Sequence, residues 1–99
     1  MRTLTVTEII KTRTIPIDMQ GRRSKWKQLT CSFEEAIKEK VSETQGKWGV
    51  KHQVARFYYD LAGKNIAWDS GVIVIGGTIK DCETEKSYMT FEEYKQDMK

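Results

Sequence analysis

The chain has 99 residues, enough for one hydrophobic core and too few for two, so residues 1–99 are expected to form a single domain. Its hydrophobic fraction of 38% and charged fraction of 31% exclude a disordered protein and are typical of a globular one. The longest aliphatic run is Val72–Ile75, far short of the roughly 20 residues that span a bilayer. The N-terminus lacks the apolar core of a signal peptide, so we expect a cytoplasmic protein.

The net charge of +3 is distributed unevenly along the chain. Residues 1–56 contain 12 Lys and Arg against 6 Asp and Glu, whereas residues 57–99 contain 5 against 8. A basic surface formed by the first part would attract a polyanion or an acidic protein. Whether the charges also separate in space depends on the fold.

The first 20 residues predict two short strands. Thr3–Ile10 alternates apolar residues with threonines, which indicates a half-buried strand. The apolar residues that follow have the opposite parity: Ile15, Ile17 and Met19. Because a slip of one residue exchanges the two faces of a strand, we expect a bend, bulge or turn within Lys11–Thr14. Pro16 has no amide proton, which favours a sheet edge or a bulge for the second strand.

A third strand is expected over Lys25–Cys31, after a loop of about five residues that suits a hairpin. Leu29 and Cys31 would share one face of this strand, and Trp26 would lie on the other. The loop and the start of the strand read G-R-R-S-K-W-K-Q, which contains four cations and no acid.

Two S/T-F-E-E signatures predict two helices, because a Ser or Thr N-cap followed three residues later by Glu forms a capping box. The first lies at residues 32–35 and opens a helix over about residues 33–45, which Gly46 is expected to end. Its apolar stripe has helical spacing: Phe33, Ala36, Ile37, Lys40, Val41 and Thr44. The second signature lies at residues 90–93 and opens a short C-terminal helix.

Between the helices the pattern returns to strands. Val50–Leu61 is rich in valine and aromatic residues, and a turn over Ala62–Asn65 leads to a strand from Ile66 to Ile75. Its apolar run Val72–Ile75 is expected to be covered on both faces. Gly76-Gly77 then forms a turn or a bulge before Thr78–Lys80. The sequence thus predicts an α+β fold with a mainly antiparallel sheet of about five strands and two helices, in the order βββ-α-ββ(β)-α.

No cofactor or metal site is expected. Cys31 and Cys82 are 51 positions apart with no C-x-x-C pair, so two reduced thiols are expected, with a disulfide between them as the alternative. Four acidic residues match positions 1, 3, 5 and 12 of a calcium loop, namely Asp81, Glu83, Glu85 and Glu92. Lys86 occupies the position of the required glycine and repels a cation, which disfavours calcium binding.

No catalytic set is recognisable either. His52 is the only histidine, it has no acidic neighbour in the sequence, and the common nucleophile and phosphate-loop motifs are missing from the sequence. Catalysis by His52 would require partners that converge only in the folded protein. We therefore expect a protein that is not an enzyme.

Two basic segments that contain tryptophan are the candidate binding sites. The first comprises Arg22, Arg23, Lys25, Trp26 and Lys27, and the second comprises Lys47, Trp48 and Lys51. Lysine and arginine can neutralise phosphates and an exposed indole can stack on an unpaired base. The alternative for each tryptophan is burial beneath the aliphatic stems of its neighbours.

These observations lead to two hypotheses. The first is a small non-enzymatic binding protein that contacts a protein partner through its basic-aromatic surface, because Arg, Trp and Tyr are enriched at interface hot spots. The chain supplies these residue types at Arg22, Arg23, Trp26, Trp48, Tyr58, Tyr59 and Trp68. In size and style alone, the chain resembles the small accessory or inhibitor proteins carried by phages and mobile elements. The alternative is a nucleic-acid-binding protein that uses seven of the eight residues in the two basic segments: Arg22, Arg23, Lys25, Trp26, Lys47, Trp48 and Lys51. An edge strand with Pro16 also allows a homodimer.

Overall fold

The computed structural model describes residues 5–17 and 25–99. It contains one antiparallel sheet and two helices, which confirms the α+β class. The elements in chain order are β1 (Thr7–Pro16), β2 (Lys27–Leu29), α1 (Phe33–Thr44), β3 (Val50–Tyr59), β4 (Asn65–Ile75), β5 (Thr78–Asp81), β6 (Ser87–Tyr88) and α2 (Phe91–Met98). The six strands lie in the order β2-β1-β3-β4-β5-β6. Within the described residues, no helix is long and apolar enough to cross a membrane.

Both helices begin at the capping signatures found in the sequence. The Ser32 hydroxyl accepts a hydrogen bond from the Glu35 amide at 3.2 Å, and the Thr90 hydroxyl accepts one from the Glu93 amide at 3.2 Å. Each bond satisfies one of the amide groups that a helix leaves free at its N-terminus. The sequence therefore correctly located the start of both helices.

The hydrophobic core lies between the helices and one face of the sheet. Ala36 and Ile37 of α1 are fully buried against Val54 and Val74 of the central strands. Tyr94 of α2 packs edge-on against Tyr88 of β6, with ring centroids 5.5 Å apart. Burial of one large aliphatic side chain contributes about 1.5–3 kcal/mol, so this single layer holds the helices on the sheet.

The expected interruption within Lys11–Thr14 is wrong, because β1 runs unbroken from Thr7 to Pro16 in continuous register with β3. The change in apolar parity has another cause. Ile10 faces the helices, whereas Ile15 faces the opposite side of the sheet, and both sides accept apolar residues. Pro16 is the last residue of the strand, where its missing amide proton costs least.

The run Val72–Ile75 is covered on one face only, which corrects the expectation of a strand buried on both. Val72 and Val74 are buried under the helices, whereas Ile73 and Ile75 are half-buried on the other side. Gly76 and Gly77 form the two-residue turn of the β4–β5 hairpin, with φ of 53° and 85°. Positive φ at both central residues is the geometry in which glycine is favoured.

Two features of the sheet were not expected from the sequence. β6 is a sixth strand of two residues inside a segment that reads as a charged loop. The β3–β4 hairpin also extends beyond β5, since β5 pairs with β4 only from Val72 to Ile75. Residues 65–68 of this extension are all exposed, and Trp68 is 63% exposed.

Candidate functional site

Within residues 5–17 and 25–99, one face of the sheet carries no helix. Because opposed residues of an antiparallel pair point to the same side, the register defines this face. We call it the open face. It contains Thr7, Ile9, Lys11, Arg13 and Ile15 of β1, Gln28 of β2, Lys51, Gln53, Ala55, Phe57 and Tyr59 of β3, Asn65, Trp68, Ser70, Ile73 and Ile75 of β4, Thr78 and Lys80 of β5, Ser87 of β6, and the side chain of Trp26.

Three aromatic rings form a row across the open face. The Phe57 ring lies in the middle, with Trp26 edge-on at 6.1 Å and Trp68 nearly parallel at 6.2 Å between centroids. These residues come from three different parts of the chain, and the strand order brings them together. Such aromatic pairs stabilise by about 0.5–1.5 kcal/mol beyond their buried area, so the row is held in a fixed arrangement.

Two cations of β1 lie against this ring row. The Lys11 ammonium is 4.9 Å from the centroid of Phe57, and the Arg13 guanidinium is 4.9 Å from the centroid of Trp26. Arg13 also donates from Nη2 to Gln53 Oε1 at 2.9 Å. Its Nε is buried and has no hydrogen-bond partner among the described residues. The side chain thus retains a donor for which the described part of the chain offers no acceptor.

The charge of the open face has one sign. Its four cations are Lys11, Arg13, Lys51 and Lys80, and none of its described strand residues is an Asp or Glu. The two helices on the other face contain seven carboxylates and three lysines. The protein is therefore polarised across the sheet, with its positive side on the open face.

The structure places the sequence-predicted site residues in different environments. Trp26 and Lys51 lie on the open face, whereas Lys27 pairs with Thr12, which is on the helix side. Lys25 is exposed just before β2. Arg22 and Arg23 lie outside the described residues.

The residues of the second basic segment also lie in different environments. Trp48 is 93% exposed and Lys47 is also exposed, both in the loop between α1 and β3. Trp48 is in none of the aromatic ring pairs found among the described residues. It therefore stands apart from the ring row.

Four functional candidates were missed from the sequence: Lys11, Arg13, Phe57 and Lys80. Trp68 was expected only as one of several interface-type residues and not as part of a defined site. Lys11 and Arg13 alternate with the buried residues of β1. This alternation in the sequence could have indicated that both cations lie on the same face of the strand. The contribution of Phe57 and Trp68 depends on strand register, which local sequence does not reveal.

His52 belongs to a separate polar network on the helix side. Its ring is 3% exposed, with Nδ1 2.8 Å from the Thr14 hydroxyl and Nε2 4.0 Å from Glu43 Oε1. Lys40 donates to the other oxygen of Glu43 at 2.9 Å. Burial lowers the pKa of His52, and the hydrogen bond from Lys40 lowers the pKa of Glu43. The network thus favours a neutral imidazole beside an ionised carboxylate.

The thiols and acidic groups have local structural roles. Cys31 and Cys82 are not bonded to each other, as expected, and burial raises the pKa of both thiols. The Asp81 carboxylate accepts the Glu83 amide at 2.9 Å and shapes the turn after β5. Within the described ranges, no group of three or more His, Cys, Asp or Glu side chains could hold a metal ion.

The surface of the described residues also has hollows. One of about 610 Å³ lies between β6 and α2 and is lined by Lys86, Ser87, Tyr88, Glu93, Gln96 and Asp97. There Asp97 accepts a hydrogen bond from the Tyr88 hydroxyl and pairs with Lys86 at 3.3 Å. Its charged groups satisfy one another, so it lacks the convergent unpaired groups typical of a ligand pocket.

Comparisons of the chain with protein-family models, with curated proteins and with solved structures find no match.

Proposed function

We propose that the protein is a non-enzymatic binding protein that binds nucleic acid through its open face. The observation that supports this function is the combination of four cations, an exposed aromatic row and no described acidic residue on one uncovered sheet face. Phosphate charges supply most of the affinity in sequence-independent nucleic-acid binding, and aromatic rings supply contacts to bases.

The charge pattern favours nucleic acid over a protein partner. Protein interfaces are depleted in lysine, and charged residues are rare at their centres. On the open face, three of the four cations are lysines. Pairing two open faces would oppose like charges, which disfavours a homodimer through this surface. A phosphate backbone, by contrast, presents a continuous row of negative charges to these cations.

Charge reversal tests the proposal. We expect Lys51→Glu with Lys80→Glu to weaken binding of a fluorescently labelled oligonucleotide by more than about tenfold at moderate salt, because two attractive contacts become repulsive. The matched control is Lys38→Glu with Lys95→Glu, two substitutions on the helices. Both double variants change the formal net charge from +3 to −1, so they separate a local effect from an overall one.

Fluorescence anisotropy measures both affinities under the same conditions. The proposal requires the helix variant to bind like the wild type within about twofold. Equal losses in the two double variants would show a non-specific charge effect, and wild type that does not bind any oligonucleotide would refute the proposal.

A protein partner is the second candidate function, in which the chain acts as an accessory or inhibitor protein. The observation that favours it is the apolar tip of the β3–β4 hairpin, where Leu61 is 74%, Ile66 47% and Trp68 63% exposed. Several large apolar residues exposed on one hairpin favour an interaction site over the single scattered apolar residues of an ordinary surface. This function predicts a partner that stays bound after nuclease treatment and dissociates from the variant Leu61→Lys with Ile66→Lys. Loss of the partner on nuclease treatment would instead assign the contact to nucleic acid.

A further inference from the structure

We infer that the open face selects single-stranded nucleic acid, with the indole of Trp68 as the surface on which an unpaired base stacks. This inference rests on the proposed nucleic-acid function and adds to it the strand state that is bound and the residue that recognises it.

Of the three rings in the row, Trp68 is the one best placed to receive a base. Its side chain is 63% exposed, against 37% for Trp26. The Phe57 ring lies 6.2 Å away with an interplanar angle of 21°, and this contact favours one orientation of the indole before any ligand binds. A side chain that already has one preferred orientation loses less conformational entropy when a base stacks on it than a mobile side chain does.

The other two rings are occupied by protein groups. The Arg13 guanidinium lies 4.9 Å from the centroid of Trp26, and the Lys11 ammonium lies 4.9 Å from the centroid of Phe57. Phe57 is also flanked by both tryptophans. Trp26 and Phe57 therefore position Trp68 and the two cations, while Trp68 offers the accessible ring surface.

The accessible indole distinguishes strand states because a duplex hides the faces of its bases. A base in a duplex is stacked between its neighbours, so an aromatic side chain on a sheet surface can stack only on an unpaired base. A duplex can still contact the lysines through its phosphates. Stacking at Trp68 therefore contributes only to single-strand binding.

The stacking and phosphate contacts lie at separate positions along the sheet. Trp68 pairs with Phe57, whereas Lys80 pairs with Ile73 and Lys51 with Ile75. Trp68 and Ile73 lie opposite Phe57 and Gln53, which are four residues apart on β3, so they are separated by about 13 Å along the sheet. The two contacts can therefore be removed independently by substitution.

The test compares Trp68→Ala with Trp48→Ala, which removes an equally large indole that is exposed outside the ring row. Each variant is titrated with a labelled ten-nucleotide single strand and with the duplex of the same sequence. We expect the wild type to prefer the single strand. We expect Trp68→Ala to weaken single-strand binding about tenfold and duplex binding by less than about twofold, since stacking contributes about 1–3 kcal/mol per base.

Two further results complete the test. Trp48→Ala should leave both affinities unchanged, and Trp68→Phe should restore part of the single-strand affinity because it keeps an aromatic ring against Phe57. Equal losses in Trp68→Ala and Trp48→Ala, or a duplex that binds the wild type as tightly as the single strand, would overturn the inference. In that case binding that still depends on Lys51 and Lys80 would leave the proposed nucleic-acid function standing.

Discussion

His52 shows how one buried side chain makes the stability of this protein sensitive to pH. Its ring is enclosed by Thr14 from β1, Glu43 and Lys40 from α1, and the nearby charge of Lys47. Burial disfavours the charged imidazolium more than Glu43 favours it, so the folded protein holds His52 with a pKa below its ordinary value of 6.5.

We predict that the protein loses stability as the pH falls below about 6.5, the unfolded pKa of histidine. The unfolded chain takes up a proton on His52 there, whereas the folded chain resists it until its own lower pKa is reached. The contribution of His52 to the free energy of unfolding is therefore fully present above about pH 6.5 and is lost as the pH falls from there towards the folded pKa. Glu43 acts in the same direction at lower pH, because its folded pKa is lowered from 4.5.

Because His52 is the only histidine, the chain has one Hε1 ring-proton resonance, and its chemical shift against pH reports the folded pKa directly. Urea unfolding at pH 7.5 and pH 5.5 should show a lower midpoint at the acidic pH in the wild type and a smaller difference in His52→Gln. A measured folded pKa above 6.5 would contradict this account of the network.

Arg56 combines an ion pair with packing, so its two contributions can be separated. Its guanidinium donates to both oxygens of Asp69 and lies 4.5 Å from the centroid of the Phe33 ring. Both members of the ion pair are partly exposed, which limits the contribution of the pair to about 1 kcal/mol. We predict that Arg56→Ala reduces the free energy of unfolding by about 1–2 kcal/mol and Asp69→Ala by less, since only the first also removes the ring contact. Equal losses in urea unfolding would show that the contact with Phe33 is without effect.

At the scale of the elements, the sequence predicted the helix starts, which depend on nearby residues in the chain. It did not predict the features that depend on how strands pair. The capping residues Ser32 and Thr90 located both helices, because a cap is formed by residues close in the chain. The change of apolar parity along β1 wrongly predicted an interruption within Lys11–Thr14. The second face of this strand is itself partly apolar, at Ile9 and Ile15. A hydrophobic pattern assigns a strand's faces only when one of them is polar.

The β4–β5 turn gives a prediction at this scale. Gly76 has φ of 53°, a value that Asn adopts readily, and a Cβ there would lie 3.5 Å from the Lys47 carbonyl oxygen, an ordinary contact. Asn-Gly is also the preferred sequence of this turn. We predict that Gly76→Asn keeps the stability of the wild type within about 0.5 kcal/mol, whereas Gly77→Ala at φ of 85° costs about 1 kcal/mol. Thermal unfolding of both variants measures the two stability changes. Equal destabilisation by Gly76→Asn and Gly77→Ala would contradict the assigned turn.

At the scale of the whole molecule, charge separates across the sheet. The chain's basic first part and acidic second part indicated a separation along the sequence, yet both helices are acidic although α1 lies in the first part. Alternation in β1 sends Lys11 and Arg13 to the open face while the helices cover the other side. The candidate site could be predicted only in fragments, through Trp26 and Lys51, because its remaining residues meet through strand order.

The salt dependence of binding tests the central claim most directly. If the four cations of the open face contact phosphates, log Kobs for a single-stranded oligonucleotide should fall against log salt concentration with a slope of about −2.8, or about −0.7 per contact. Lys80→Gln should make the slope shallower by about 0.7, and Lys38→Gln on α1 should leave it unchanged. A slope near zero, or one that Lys38→Gln changes as much as Lys80→Gln does, would contradict the assignment of the open face as the nucleic-acid interface.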